Sequence, residues 1–99
     1  MLYALIGEDA TGSLEKRLAS RPEHLARLNQ LVAEGRLVLA GPFPAIDSPD
    51  PGPAGFSGSL IVAEFPSQVD AEAWLAQDVY VREGVYVSTS VRPFKRALP

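Results

Sequence analysis

Apolar runs of strand length alternate with two helical stretches in the order β-α-β-β-α-β along a chain of 99 residues. That order predicts an α+β fold of the ferredoxin-like, split βαβ type, with residues 1–99 forming one domain. The expected architecture is a four-stranded, mostly antiparallel sheet with both helices on one face, where right-handed crossovers put them. A domain of this size buries about 60–70% of its unfolded surface. With 46% hydrophobic residues the chain has the apolar content to do so.

The first strand runs from Leu2 to Gly7, so uniformly apolar that it reads as buried on both faces. Glu8 to Gly12 is a polar loop. Ser13 is the N-cap candidate of the first helix, with Lys16 and Arg17 expected on its solvent side. Pro22 lacks a backbone donor, which predicts a kink or a restart at that point. From Glu23 onward Leu25, Leu28, Leu31 and Val32 recur with a helical period, and Gly35 supplies the left-handed stop.

Arg36 to Ala40 is the second strand, ended by Gly41 and Pro42. Pro42 to Gly55 holds five prolines and reads as a stiff loop, because proline brings no amide to a ladder. Gly58 to Phe65 is the third strand. Ser67, with Asp70 three residues later, resembles a capping box and opens a short helix through Val69, Ala73, Trp74 and Ala76. A linker from Gln77 to Gly84 leads to the last strand, from Val85 to about Val91.

Two helices on one sheet face leave the other face bare. Leu2 to Ile6 and Leu60 to Ala63 nevertheless show little apolar/polar alternation. A monomer would expose a larger apolar patch than is usual for soluble proteins, so the sequence predicts a homodimer through the sheets.

Nine Lys plus Arg against 12 Asp plus Glu give a net charge of −3, which argues against nucleic-acid and anionic-membrane partners. No segment approaches the roughly 20 apolar residues of a membrane span. The first residues lack a basic, signal-like region, so a soluble cytoplasmic protein is expected. With no cysteine and one histidine, no metal site is expected. Asp47 and Asp50 lack the spacing of a calcium loop. Phosphate-loop, dinucleotide and nucleophile-elbow motifs are missing, so no cofactor is expected either.

His24 is the only side chain whose ordinary pKa lies near neutrality, which makes it the first candidate for proton transfer. On a helical wheel with His24 at zero, Leu31, Leu28, Val32 and Leu25 fall at about −20°, 40°, 80° and 100°. His24 therefore sits on the edge of the apolar face and leans toward the sheet, where its nitrogens need partners. Asp78, at the carboxyl end of the second helix, is the preferred partner, because a carboxylate there opposes the macrodipole and invites a functional explanation. Asp9, at the exit of the first strand, is a rival that spacing does not eliminate. Tyr3 and Tyr80 are candidate substrate contacts, and Arg21 is a candidate for an anionic substrate group.

Longer stretches carry a more specific signal. Arg21-Pro22-Glu23-His24-Leu25-Ala26-Arg27-Leu28, Ala40-Gly41-Pro42-Phe43-Pro44-Ala45 and Val91-Arg92-Pro93-Phe94-Lys95 resemble the bacterial YciI proteins, the YCII-related family. Shorter matches such as Asp50-Pro51-Gly52 and Gly84-Val85-Tyr86 extend the likeness over essentially the whole chain. The resemblance implies a dimeric ferredoxin-like fold and a histidine/aspartate site at His24 and Asp78. The family's Asp-Pro-Tyr motif reads Asp78-Val79-Tyr80 here, so the proline that would restrict the aspartate's backbone is lost.

The resemblance further implies, by analogy with a dehydrochlorinase relative and with muconolactone isomerases, a cofactor-independent lyase or isomerase acting on a small organic molecule. The alternative is a non-catalytic, dimeric small-ligand-binding or stress-related accessory protein. A single-stranded RNA binder shares the element order, but Leu60 to Ala63 carries none of its aromatic or basic residues.

Overall fold

The computed structural model describes all of residues 1–99. Its elements are β1 (Leu2–Asp9), α1 (Leu14–Ala33), β2 (Leu37–Pro44), β3 (Phe56–Glu64), α2 (Gln68–Ala76), the single turn α3 (Val79–Arg82) and β4 (Tyr86–Phe94). The four strands form one sheet in the order β2-β3-β1-β4, every neighbouring pair antiparallel. This is the ferredoxin-like arrangement that the element order predicts. No helix is long and apolar enough to cross a membrane.

Strand register sorts the side chains onto two faces. Tyr3 stands opposite Ala63, Leu5 opposite Ile61 and Gly7 opposite Ser59, and all of these are buried under the helices. Leu28 and Leu31 of α1, Ala71 and Leu75 of α2, and Val79 and Tyr80 of α3 close the same core. Each large aliphatic side chain so buried contributes about 1.5–3 kcal/mol.

The other face is only half covered. Leu2, Ala4 and Ile6 are intermediate in exposure, so within the single chain β1 is buried on one face rather than on both. Leu39 and Phe43 on β2 and Phe94 on β4 leave 49%, 41% and 41% of their surface exposed.

Several boundaries differ from the sequence reading, each for a local reason. Helix α1 runs uninterrupted through Pro22 instead of restarting there. Pro22 and Leu18 both face solvent, so the carbonyl that loses its donor meets water. Val32, expected on the apolar face, is 56% exposed because the helix's buried stripe passes through Leu28 and Leu31 instead. Strand β2 continues through Gly41, Pro42 and Phe43 to Pro44, since an edge strand tolerates residues that donate nothing outward.

Caps account for the remaining ends. Ser13 is the N-cap of α1 without a side-chain hydrogen bond, whereas the Ser67 hydroxyl accepts the Asp70 amide at 3.1 Å. Gly35, at φ 71°, ends α1 as the left-handed residue the sequence predicts. The stretch expected as a linker contains α3, with Asp78 as its N-cap accepting the Tyr80 amide. Asp78 therefore opens a helix rather than opposing the dipole of α2 alone.

Candidate active site

On α1, Arg17, Arg21, His24 and Leu28 fall at i, i+4, i+7 and i+11, a single stripe of the helix. That stripe faces β2 and β3, and between them lies a cleft of about 140 Å³. Its walls are Leu25 and Leu28 from the helix, Ala40, Gly41 and Pro42 from β2, and Ser59 and Ile61 from β3. Tyr80, the second residue of α3, closes the end.

His24 is buried, and its Nδ1 lies 2.8 Å from Asp78 Oδ2. The same oxygen accepts the Tyr80 amide at 3.0 Å, and Oδ1 accepts Arg27 Nη1–H at 2.9 Å. Burial pushes the fully enclosed Asp78 carboxyl upward. The hydrogen bond and charge of His24, the Tyr80 amide and Arg27 together outweigh it and hold the group below its ordinary value. An ionised carboxylate only accepts, so Nδ1 carries a proton, and it is in the neutral form of the ring that Nε2 offers its lone pair. No protein group meets Nε2, and the ring lines the cleft.

Two further contacts fix the imidazole plane. Tyr80 stacks on it with centroids 4.0 Å apart and planes 14° from parallel, and Tyr86 braces Tyr80 edge-on at 5.4 Å. Arg27 is held in turn by the Trp74 carbonyl at 2.8 Å and by the Trp74 ring, 4.1 Å from the guanidinium carbon.

Arg17 is the second organising group. It is buried, which corrects the expectation that it faces solvent. It binds both oxygens of Asp9, at 2.8 and 3.1 Å, and donates to the Gly58 carbonyl and to Ser59 Oγ. Burial works against its charge, but Asp9 more than compensates and raises the guanidinium pKa further. Asp9 is thereby committed to Arg17 and is not the partner of His24.

The structure thus brings His24, Tyr80 and Arg21 to one cleft, with Asp78 fully buried behind His24. It does not bring Tyr3, which lies in the core with its ring edge toward Phe65 at 6.4 Å. Sequence reasoning passed over Arg17, Arg27 and Ser59. The stripe Arg17-Arg21-His24-Leu28 was the available signal, because polar residues sharing the spacing of a buried leucine need partners. No group of three or more His, Cys, Asp or Glu side chains is arranged to hold a metal ion.

Comparison with known proteins gives these residues a family. The Protein YciI of Escherichia coli is 57% identical over 96 residues, covering 97% of this chain and 98% of its own, and that of Shigella flexneri is equally similar. An uncharacterized protein of Haemophilus influenzae is 52% identical over the same length.

Among solved structures, the 5-chloro-2-hydroxyhydroquinone dehydrochlorinase of Burkholderia phenoliruptrix, in complex with 2,5-dihydroxybenzoquinone, superposes with a TM-score of 0.85. It is 23% identical, and the match covers 98% of this chain and 96% of that one, which establishes a common fold. A protein from Agrobacterium tumefaciens follows at a TM-score of 0.54 and 16% identity, covering 98% of this chain and 94% of its own. The YCII-related domain matches residues 1–95, and with these relatives the chain belongs to the YCII-related family.

Proposed function

We propose that the cleft carries out cofactor-independent proton transfer, an elimination or an isomerisation, on a small organic molecule. The observation that carries this reading is the division of His24, with Nδ1 held by Asp78 and Nε2 open to the cleft. In that arrangement Nε2 takes a proton from a carbon next to an electron-withdrawing group. The electron pair of the C–H bond then forms a double bond. Either a leaving group departs with its own pair, or imidazolium returns the proton at another carbon. Asp78 stabilises the imidazolium formed in between, and Tyr80 keeps the ring in plane.

The acid, the base and the orienting groups are all side chains, so the reaction needs no cofactor. The likeness of fold to a dehydrochlorinase supports an elimination on a related small ring. We further propose that the chain works as a cytoplasmic homodimer joined through the open sheet face, where Leu39, Phe43 and Phe94 would otherwise remain wet.

The test is turnover against a panel of hydroxyquinols and lactones. A substrate of the native protein is expected to lose at least about a hundredfold in kcat with His24→Asn. A panel without turnover, or a His24→Asn variant as fast as the native chain, would refute the acid–base reading and leave a ligand-binding protein. Light scattering at micromolar concentration should give twice the chain mass, and a clean monomer would remove the dimer.

A further inference from the structure

We infer that the cleft selects a small organic monoanion, about one ring in size, and that Arg21 is the residue that selects it. This deepens the acid–base reading and rests on it. Arg17 is neutralised by Asp9, which it grips with two hydrogen bonds, and the Asp78 carboxylate is matched by Arg27. Glu23, the acid nearest to Arg21 in sequence, is turned to Arg82.

Arg21 alone among the cleft's cations has no carboxylate within ion-pair distance and no hydrogen bond to the protein. No carboxylate lines the cleft, so no anionic side chain there favours a cationic ligand. The cleft of a chain with net charge −3 therefore carries an uncompensated positive charge. Its five free guanidinium donors suit a carboxylate, a phenolate or an enolate.

Size and position agree with this charge. In another protein a cavity of about 150 Å³ takes up benzene, close to the 140 Å³ of this cleft. Leu25, Leu28, Pro42 and Ile61 supply apolar walls for a ring. Arg21 precedes His24 by three residues on the same helix stripe, so their side chains leave neighbouring points of the wall, about 5–6 Å apart at Cβ. A ring whose anionic substituent rests on Arg21 is the right width to present an adjacent carbon to Nε2. Anchoring through a charge also explains how so small and open a site can retain a ligand while its proton is moved.

The test uses benzoate as the probe and benzamide as its neutral counterpart, read from the ring resonances of the single histidine at pH 7.5 and low salt. Benzoate is expected to saturate the His24 shifts, to weaken as salt is raised, and to bind at least about tenfold more tightly than benzamide. Arg21→Gln, an exposed change that should leave the circular dichroism untouched, is expected to bring benzoate down to the benzamide level. Equal binding of the two probes, no saturable shift with either, or an Arg21→Gln variant that keeps the preference would each overturn the inference.

Its failure is separable from failure of the acid–base reading. Benzoate saturation in a protein that turns nothing over refutes catalysis alone. Turnover of neutral molecules without a preference for benzoate refutes the anion site alone.

Discussion

Replacing Asp78 by asparagine keeps the shape of the side chain and removes its charge. Three donors converge on this fully buried carboxylate: His24 Nδ1, the Tyr80 amide and Arg27. An asparagine oxygen can accept from His24 and Tyr80, but its NH2 group then points at the Arg27 guanidinium, donor against donor. Breaking a buried charged pair from one side costs about 3–5 kcal/mol. Arg27 is 21% exposed and can recover some hydration, which brings the cost to the bottom of that range or just below it, about 2–3 kcal/mol.

In a domain of this size such a loss lowers the melting temperature by roughly 10–20 °C and moves a urea midpoint by about 2 M. The pH dependence supplies a second signature. The folded-state pKa of Asp78 lies below its unfolded value of about 3.9. Its contribution is therefore complete above that value and disappears as pH falls through the folded pKa. The gap between native chain and variant should be full at pH 7 and narrow below about pH 4. Urea denaturation across this range checks both. A difference under about 0.5 kcal/mol at pH 7, or one that persists unchanged in acid, would refute the reasoning that three donors hold an ionised Asp78.

Three further outcomes test the scaffold around the site. Arg17→Met leaves Asp9 buried beside an apolar chain and should cost about 3 kcal/mol by chemical denaturation, with much of the loss recovered when Asp9→Asn is added. Gly58→Ala would set a methyl against the Gly7 carbonyl and push β3 from β1, so a loss of at least about 2 kcal/mol and a displaced Arg17 are expected, read by thermal melting. Val79→Pro restores the family's Asp-Pro-Tyr motif. Val79 is the first residue of α3, and Asp78, at φ −66° and ψ 144°, already has the backbone that a residue before proline prefers. Stability should stay within about 1 kcal/mol of the native chain, as thermal melting would show.

Much of the fold was legible because it rests on short-range signals. The apolar runs of β1 and β3, the leucine period of α1, the left-handed Gly35 and the Ser67 cap all act within a few residues of themselves. The features that were misread depend on neighbours remote in the chain. Pro42 and Pro44 belong to a strand only because β2 lies at the sheet's edge, and α3 is one turn long, too short for any hydrophobic period to announce.

The same division holds for the site. A single histidine in a chain without cysteine, together with the family motifs, singles out His24 and Asp78 as candidates from the sequence alone. Which carboxylate meets which cation did not follow from it. Asp9 and Asp78 are both acids at element ends, and both Arg17 and His24 lie on the buried stripe of α1. Only the packing of that helix across β1, β3 and α3 assigns Asp9 to Arg17 and Asp78 to His24 and Arg27. That packing also moves Tyr3 into the core, stacks Tyr80 on the imidazole and leaves Arg21 without a partner. Sequence spacing sets which face of an element a side chain takes, whereas the pairing of buried charges depends on distances across the core, which come into being only when the elements pack.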